Sequence, residues 1–576
     1  MRRRTVIQGL AASAASMALR PTPAIASSRT ARIDWTPLRG LLGDRLIKVQ
    51  SPLAQAKASK AFADALFNRI QNPYLLGDEP GLTQTLGWAG AWTSQPSDYA
   101  VAAENAADVA TAINFARDNR LRLAVKGGGH SYFGNSNAAG SLLIWTRRMN
   151  QVELHDAFVP KYAPAGTVPI QAVSVGAGAL WGPVYYKVSV ENGRYVQGGG
   201  CLTVGVSGFT LGGGFGSFSK QFGTGAANLV EAEVVTADGR LRTVNYWREP
   251  DLFHALRGGG GGSFGVVTRL TLRTHELPQT FGAVMFEVAA RSDEAWRKLV
   301  ARVIDFYATA LFNPHWGEQI RLRPGRKMSI SMLFHGLDEL SARAVWKPML
   351  DWLGARSSDF RMQSDPLFLA FPARSLWDPQ HLMTLPGVVL RDDRSGAPAS
   401  NIYWATNRGE AGQVLHAYQS AWMPASLLRP GEQAKLVDAL IAAAAVWDVT
   451  LHTNKGLAGG APDALARTRE TSMNPAVLDA FALVIVAADG PPAWPGITGF
   501  EPDPVAAKRQ AAEVTRAMAP IRRLVPNAGT YVSEADYFQQ GWKQAYWGAN
   551  YAQLAAAKRR YDPHNLFRVH HGVEGS

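Results

Sequence analysis

Four glycine-rich clusters lie close together in the first half of the chain, at residues 126–131, 198–201, 212–216 and 257–265. Consecutive glycines give the backbone conformations that other residues avoid and let it come close to a ligand. Their successive N–H groups form a concavity that suits an anion such as pyrophosphate. One such cluster is most simply a tight loop. Four of them within this short stretch predict a large phosphate-bearing ligand.

Neither of the two common nucleotide-binding motifs fits these clusters. The first cluster follows the strand-like residues 121–125, but it runs into His-Ser-Tyr instead of a helix. No acidic residue follows about 20 positions later, as a dinucleotide-binding Rossmann unit would require. No Gly-Lys-Ser/Thr sequence is present, which disfavours a P-loop nucleotidase. The single cysteine excludes an internal disulfide and a zinc site built on several cysteines, so no metal is expected.

The chain is 47% apolar and 18% charged, which excludes global disorder and provides for a sizeable core. Its first half alternates short β-branched runs with a helix-like stretch, which predicts an α/β or α+β domain rich in loops. From about residue 278 to 520 amphipathic helices and further strands predict a second α+β domain. The strands are expected at 121–125, 171–175, 231–236, 266–272, 330–334 and 482–487, and the helices at 106–119, 293–307, 434–446 and 551–560.

The N-terminus has the layout of an export signal. Arg3 and Arg4 form a twin arginine, residues 9–19 are mildly apolar, and Ala24-Ile25-Ala26 offers a small-x-small cleavage site. This pattern predicts a Tat-type signal over residues 1–26, with the Tat export machinery as a partner and a periplasmic or secreted mature protein. Its removal takes away four arginines and lowers the formal charge from +13 to +9.

The remaining charge pattern gives no sign of a nucleic-acid partner, because arginines and carboxylates are interspersed without blocks of like charge. No segment reaches about 18 uninterrupted apolar residues, so no stable membrane insertion is expected.

The sequences around these clusters resemble a known family. VKGGGHS at residues 125–131 resembles the flavin loop of the vanillyl-alcohol-oxidase superfamily. Residues 200–216 resemble the matching segment of berberine-bridge-enzyme-like oxidases, and RGGGGGSFGVVT at 257–268 is similar to their third glycine-rich segment. YWGANY at 546–551 and YDPHNLF at 561–567 resemble their C-terminal signature. The resemblance covers about residues 95–275 and 525–576 strongly. It is patchy between them, with residues 451–459 as the best match.

This resemblance implies an α+β fold with a two-part, PCMH-type FAD-binding domain. A substrate domain would add an antiparallel sheet covered by helices on one face. The implied division is a flavin domain over residues 27–277, a substrate domain over 278–525, and a C-terminal segment, 526–576, that returns to the flavin domain.

The resemblance also implies FAD held by two covalent bonds, from His130 to the flavin 8α-methyl carbon and from Cys201 to C6 of the ring. Both residue types suit the reaction, since neutral imidazole and thiolate are nucleophiles. Taken alone, His130 could instead be a capping or core histidine and Cys201 an inert buried thiol. The other residues expected to bind FAD are Lys126, Gly127, Gly128, Gly129, Ser131, Thr203, Val204, Gly205, Gly208, Gly212, Gly213, Gly214, Gly216, Gly265, Val266, Val267, Asn550 and Tyr551.

The implied reaction is hydride transfer from a substrate C–H to the flavin while a base removes the proton of the attached hydroxyl or amine. In the family, a valine three residues after the attachment cysteine admits oxygen. Val204 therefore suggests an oxidase that reduces O₂ to H₂O₂. The family's base is often a tyrosine in Tyr-x-Asn-Tyr-x-Asp, but this chain has Glu534 at the second tyrosine. The candidate bases are Glu534, Tyr531, Tyr537, His452 and Lys455, and Lys455 could instead lower the pKa of a neighbouring hydroxyl.

The sequence leaves the substrate open between a hydroxyl-bearing small molecule and a saccharide. Trp377, Tyr403 and Trp404 could stack on a sugar, although such residues are more often part of a core. Three functions remain as alternatives: a secreted oxidase, a dehydrogenase of the same fold that passes electrons to a quinone or protein, and a non-catalytic flavin-binding protein.

Overall fold

A computed structural model describes residues 33–574, so the predicted export signal lies outside the described residues. Its strands are β1 (Leu46–Lys48), β2 (Gly87–Trp88), β3 (Trp92–Thr93), β4 (Tyr99–Ala102), β5 (Arg122–Lys126), β6 (Ser141–Trp145), β7 (Val152–Phe158), β8 (Ile170–Gly176), β9 (Arg194–Val196), β10 (Leu229–Val235), β11 (Leu241–Val244), β12 (Val266–Glu276), β13 (Thr280–Ala290), β14 (Trp316–Arg323), β15 (Lys327–His335), β16 (Phe360–Met362), β17 (Leu367–Pro372), β18 (Val389–Arg391), β19 (Ile402–Trp404), β20 (Val414–Pro424), β21 (Val449–His452) and β22 (Ala480–Gly490).

The α-helices are α1 (Thr36–Leu42), α2 (Pro52–Ala58), α3 (Lys60–Arg69), α4 (Pro73–Asp78), α5 (Ala106–Asp118), α6 (Trp181–Tyr185), α7 (Val206–Leu211), α8 (Ser219–Phe222), α9 (Pro250–Leu256), α10 (Asp293–Phe306), α11 (Glu339–Gly354), α12 (Pro379–Leu382), α13 (Gln433–Ala444), α14 (Pro462–Arg469), α15 (Ala476–Asp479), α16 (Pro504–Leu524), α17 (Trp542–Trp547) and α18 (Tyr551–Tyr561). Among residues 33–574, no helix is both long enough and apolar enough to cross a membrane.

Two sheets form the glycine-rich half of the molecule. The smaller has the order β1-β4-β6-β5, with β4 and β5 both parallel to β6. The larger is antiparallel, has the order β11-β10-β12-β8-β7, and carries β9 beside the end of β12. The first glycine cluster follows β5, as the sequence predicted, and the second follows β9. The third follows α7, and the fourth lies between α9 and β12. The fold is therefore α+β, in agreement with the expected class.

A ten-stranded sheet forms the other half, with the order β16-β13-β15-β14-β21-β22-β20-β2-β3 and β17 added beside β13. Helices α10, α11, α13 and α16 contribute to one hydrophobic core with this sheet. Strand β13 illustrates the reason: Val284, Phe286 and Val288 are buried in that core, whereas the alternate residue Met285 is exposed. Such alternation places one face of a strand under helices and leaves the other face open.

Residues 83–94 connect the two halves in a way that the sequence did not predict. Strand β2 lies in the region assigned to the flavin domain, yet it pairs in parallel with β20 of the ten-stranded sheet. Immediately before β2, the N–H of Gln84 donates to the carbonyl of Gly129 at 3.0 Å. The same segment thus binds the substrate-side sheet and the first glycine-rich loop. Such a pairing depends on residues more than 300 positions apart, so local patterns do not indicate it.

The C-terminal segment returns to both halves. Ser420 Oγ in β20 donates to the carbonyl of Glu534 at 2.5 Å. Trp547 Nε1 donates to the carbonyl of Gly258 at 3.0 Å, and Lys558 Nζ donates to that of Ser263 at 2.7 Å. These bonds fix the C-terminal segment against the fourth glycine cluster and place Glu534 beside the large sheet.

Candidate active site

Two glycine-rich loops meet where the sequence predicted flavin attachment. The loop after β5 carries His130, and the loop before α7 carries Cys201. A Cβ on Gly128 would lie only 2.7 Å from the amide nitrogen of Gly205, so a side chain at position 128 would separate the loops. Their contact brings Thr203 Oγ1 to 3.3 Å from His130 Nε2 and 3.5 Å from Cys201 Sγ. The imidazole and the thiol therefore share one hydroxyl neighbour.

Lys126 supports the first loop from behind and does not reach the cavity, contrary to the expectation that it binds FAD. Its side chain is fully buried, and Nζ donates to the carbonyls of Leu76, Glu79 and Leu82 at 2.8, 2.7 and 2.6 Å. A Cβ on Gly129, where φ is +80°, would lie 2.9 Å from Lys126 Cε. The ammonium group has three N–H donors, and all three are used by the protein itself.

One cavity of about 490 Å³ opens at the junction of the loops and is lined by both His130 and Cys201. Its volume lies within the range of about 300–1,000 Å³ that is usual for small-molecule sites. The other predicted cofactor residues on its wall are Gly127, Gly128, Gly129, Ser131, Val204, Gly205, Gly208, Gly212, Gly216, Gly265 and Val267. The structure thus brings most of the predicted set together around one space.

Several glycines leave room that no protein atom fills. A Cβ on Gly200 or Gly208, both on the cavity wall, would have no other atom within 4 Å. A Cβ on Gly261 would face only the Cα of Gly208, at 3.9 Å. The second and fourth glycine clusters and the start of α7 therefore border an open slot. Exposed backbone along such a slot fits an elongated, phosphate-bearing ligand.

Burial changes the protonation of His130 and Cys201 in different ways. It lowers the pKa of His130 to about 4, so the imidazole is neutral at physiological pH and available as a nucleophile. Burial also raises the pKa of Cys201 above its usual value, although hydrogen bonds involving Thr203 oppose the change. Cys201 is therefore a thiol in this site and must lose its proton before it can act as a nucleophile.

An ion pair lies on the same cavity wall. Lys455 Nζ is 2.6 Å from both carboxylate oxygens of Glu534. Lys455 belongs to the turn that follows β21, and the backbone of Glu534 is held by Ser420 of β20. The side chains are 12% and 20% exposed, so the pair is largely removed from bulk water but still accessible from the cavity. Two of the predicted catalytic residues are thus in direct contact.

The other candidate bases differ in position and protonation. Tyr531 lines the cavity, but its hydroxyl accepts the Gly214 N–H at 3.1 Å, and burial raises its pKa well above the usual value. Tyr531 therefore stays protonated. Tyr537 stacks on His570 with ring centroids 3.7 Å apart and is not part of the cavity wall. His452 lines the cavity, and burial followed by the nearby charge of Lys455 lowers its pKa well below the usual value.

Comparisons with known proteins agree with this geometry. The sequence profile of the FAD binding domain family matches residues 97–245, and the profile described as "Berberine and berberine like" matches residues 530–574. The FAD-linked oxidoreductase ZEB1 of Gibberella zeae is 30% identical over 484 residues, which cover 82% of this chain and 76% of the relative. The chain belongs to the berberine-bridge-like FAD-linked oxidoreductases.

Three further similarities come from one relative and from two solved structures that share the fold. The VAO-type flavoprotein oxidase VAO615 of Thermothelomyces thermophilus is 29% identical, over 82% of this chain and 75% of the relative. The crystal structure of the VAO-type flavoprotein MtVAO713 from Myceliophthora thermophila C1 has a TM-score of 0.74 and covers 94% of both chains at 21% identity. A chitooligosaccharide oxidase also shares the fold, with a TM-score of 0.64, 19% identity, and coverage of 87% of this chain and 96% of its own.

Several residues expected to bind FAD in this oxidoreductase face away from the cavity. Val266 is buried in the core of the smaller sheet, and Thr203 contacts His130 and Cys201 but is not part of the cavity wall. Cβ atoms on Gly213 and Gly214 would meet Met473 and Phe209 at 2.7 and 2.4 Å, so these glycines serve packing.

The C-terminal pair Asn550 and Tyr551 also differs from expectation. Asn550 Nδ2 donates to the carbonyl of Met473 at 2.7 Å, and the Tyr551 ring packs against Trp547, with centroids 5.8 Å apart. Both side chains fix the start of α18 against the protein. Neither is part of the cavity wall, whereas Trp547 is.

The aromatic residues considered for sugar stacking are mostly structural. Trp377 is buried and stacks on Tyr185, with ring centroids 4.3 Å apart, and Tyr403 is buried beside Tyr74. Trp404 is half-buried and donates Nε1–H to the carbonyl of Gly200 at 2.6 Å. None of the three lines the cavity, but Trp404 covers the loop that carries Cys201.

Sequence reasoning missed several polar residues of the oxidoreductase cavity, among them Tyr132, Glu318 and Asn454. A signal existed for Tyr132, which follows Ser131 directly, and for Asn454, which precedes Lys455. Glu318 gave no local signal, because it lies within a strand of otherwise ordinary composition.

Proposed function

We propose that this FAD-dependent oxidoreductase is an oxidase of hydroxyl-bearing small molecules or saccharides, with FAD attached to His130 and Cys201 and O₂ as the electron acceptor. The observation that carries the proposal is the position of four side chains around one cavity. His130 and Cys201 share the hydroxyl of Thr203, and the Lys455–Glu534 pair lies on the same wall.

The protein residues have three roles in this proposed reaction: they attach the FAD, accept the substrate proton, and position the base. Bound FAD supplies the two-electron acceptor that takes hydride from the substrate carbon. Glu534 accepts the proton of the substrate hydroxyl as the C–H bond breaks, which leaves a carbonyl product. Lys455 holds the Glu534 carboxylate in one orientation through contacts with both of its oxygens. With O₂ as acceptor, the bound cofactor would be reoxidised by transfer of two electrons and two protons, which would give H₂O₂.

Saccharides and simple alcohols form the first substrate panel. A chitooligosaccharide oxidase shares the fold, and the cavity wall offers carboxylate and amide groups that can bind hydroxyls. Anaerobic mixing of the purified enzyme with an active compound should bleach the flavin absorbance. Admission of O₂ should restore it and release H₂O₂.

Two other results of this experiment would identify the alternatives. Reduced enzyme that is reoxidised by a quinone but not by O₂ is a dehydrogenase. A flavin that no member of the panel bleaches indicates a binding protein without this activity.

The proposed oxygen gate gives a separate prediction. Val204 lines the cavity, and its N–H lies 3.4 Å from the carbonyl of Cys201. Replacing Val204 by leucine adds a methylene to the wall next to the attachment cysteine. We expect reoxidation of the reduced enzyme by O₂ to slow about tenfold or more, while anaerobic reduction by substrate changes by less than about twofold. Stopped-flow mixing measures both steps. An unchanged rate with O₂ in the Val204→Leu variant would refute the gate.

We also propose that the protein is exported in its folded state through the Tat route. The support is the twin arginine, the apolar stretch and the Ala24-Ile25-Ala26 site. N-terminal sequencing of protein recovered outside the cytoplasm should begin at Ser27, and a start at Met1 would contradict cleavage there.

A further inference from the structure

Glu318 has a backbone conformation that non-glycine residues rarely adopt. It lies inside strand β14 with φ at +79°. Its strand neighbours Trp316 and Ile320 are buried on the helix-covered side of the sheet, at 2% and 1% exposure. Regular alternation would direct the Glu318 carboxylate into the same apolar core. The left-handed conformation instead turns the side chain out of that core, and its strain suggests a functional reason.

The surrounding residues fix this unusual orientation. The Glu318 carbonyl accepts a hydrogen bond from Thr453 Oγ1 at 2.9 Å. Its Oε1 accepts from Ser217 Oγ at 2.5 Å and from Asn454 Nδ2 at 3.3 Å. Gly317 allows the close approach of the Ser217 loop, since a Cβ there would lie 1.9 Å from the Ser217 carbonyl oxygen. Two separate segments, the Ser217 loop and residues 453–454, therefore hold Glu318 at the cavity wall.

This corner of the cavity contains hydrogen-bond acceptors that have no donor. Within residues 33–574, Glu318 Oε2 has no hydrogen-bond partner. Asn454 is 2% exposed, and its Nδ2 donates to Glu318 Oε1 and to the carbonyl of Gly216. Its Oδ1 is buried and has no hydrogen-bond partner among the described residues. Both residues line the cavity. A buried acceptor without a donor, such as Asn454 Oδ1, is unfavourable. Glu318 Oε2 is a second acceptor without a donor among the described residues, on a residue of the same cavity wall, so the two oxygens point to a ligand that donates.

We propose that Glu318 and Asn454 bind a hydrogen-bond donor on the substrate carbon next to the one that is oxidised. Asn454 directly precedes Lys455, which holds the proposed base Glu534, so the free acceptors lie beside the site of proton removal. The enzyme then prefers vicinal diols, including saccharides, or vicinal amino alcohols over simple alcohols. This inference rests on the proposed function, because it places the donor relative to the oxidised carbon.

The test uses probes that differ at one group. D-glucose, D-glucosamine and 2-deoxy-D-glucose carry a hydroxyl, an ammonium and no donor at the same carbon. 1,2-Propanediol and 1-propanol form a second pair. Apparent Kd values come from the perturbation of the flavin absorbance and from the shift in Tm of the anaerobic holoenzyme. We expect the donor-free probe of each set to bind about 10- to 100-fold more weakly to the wild-type enzyme.

Glu318→Gln is the matched variant. Because Oε1 accepts two hydrogen bonds, the amide nitrogen of the substituted side chain would occupy the place of Oε2, so an acceptor becomes a donor without a change of size. We expect the preference for the donor-bearing probes to fall to within about threefold, with the largest loss for glucosamine. The Glu287→Gln variant removes a carboxylate from the open face of the same sheet and should keep the wild-type preference.

The outcomes separate this inference from the proposed function. Equal binding of all probes to the wild-type enzyme, binding of none of them, or a preference that survives in Glu318→Gln overturns the inference. The comparison is valid only in variant protein that retains its flavin and its Tm, and Glu318→Asp offers a second variant if the glutamine form does not fold. Probes that bind with the expected preference but never bleach the flavin would instead contradict the proposed oxidase function.

Discussion

Replacing Glu534 by glutamine is expected to slow anaerobic flavin reduction by substrate about 100- to 10,000-fold, the usual contribution of a general base. The amide cannot accept the hydroxyl proton, and it also leaves Lys455 without its carboxylate partner. Flavin content should stay unchanged, because the backbone of residue 534 is still held by Ser420 Oγ. Single-turnover reduction in a stopped-flow instrument measures the effect directly.

Two companion variants make this result specific. Lys455→Met should also slow reduction, and the double variant should be little slower than Glu534→Gln alone, because residues that act as a unit are not additive. His452→Asn removes the neutral imidazole on the same wall and should slow reduction by less than about tenfold. A large loss in His452→Asn together with near-normal rates in Glu534→Gln would assign the base to His452.

Replacing Lys126 by methionine is expected to reduce the free energy of unfolding by about 3–5 kcal/mol, because three carbonyl groups, two of them in buried hydrogen bonds, lose their donor. Methionine fills similar space but donates no hydrogen bond. The loop that carries His130 lies directly on the Lys126 side chain, so flavin attachment should fall together with stability. Thermal denaturation and the ratio of flavin to protein absorbance measure the two effects.

The exposed Lys48 provides the control for this substitution. It lies at the end of β1, in the same four-stranded sheet as β5, which ends at Lys126. Lys48→Met removes a lysine charge from an exposed position. This control should change stability by less than about 0.5 kcal/mol. If Lys126→Met were as stable as the control and fully flavinylated, Lys126 would not be the support that the three hydrogen bonds indicate.

Local patterns in the sequence predicted much of the fold. The strand expected at residues 266–272 occurs as Val266–Glu276, and the helix expected at 293–307 occurs as Asp293–Phe306. Such elements depend on side-chain periodicity and capping residues that lie within one segment. The pairing of Gly87–Trp88 with residues 414–415 was not predicted, since it depends on a contact between distant parts of the chain.

The sequence predicted the residues of the candidate site that lie in glycine-rich loops. His130 and Cys201 meet at one cavity because glycines at positions 128 and 205 let their loops touch. The sequence did not predict where some individual side chains point. Lys126 adjoins a flavin loop but points into the protein, and Asn550 lies in a signature motif but caps a backbone carbonyl. The sequence did not predict Glu318 as a cavity residue, because its position there depends on a positive φ angle inside a strand.

The central claim is that His130 and Cys201 hold one FAD from two loops. The most direct measurement is acid denaturation of the purified protein, followed by absorbance and intact-mass analysis of the precipitated chain. We expect the flavin to stay with the wild-type polypeptide, and with His130→Ala and Cys201→Ala through the one remaining bond. It should be lost to the supernatant only from the double variant. Release of the flavin from the wild-type protein, or its retention by the double variant, would contradict the account.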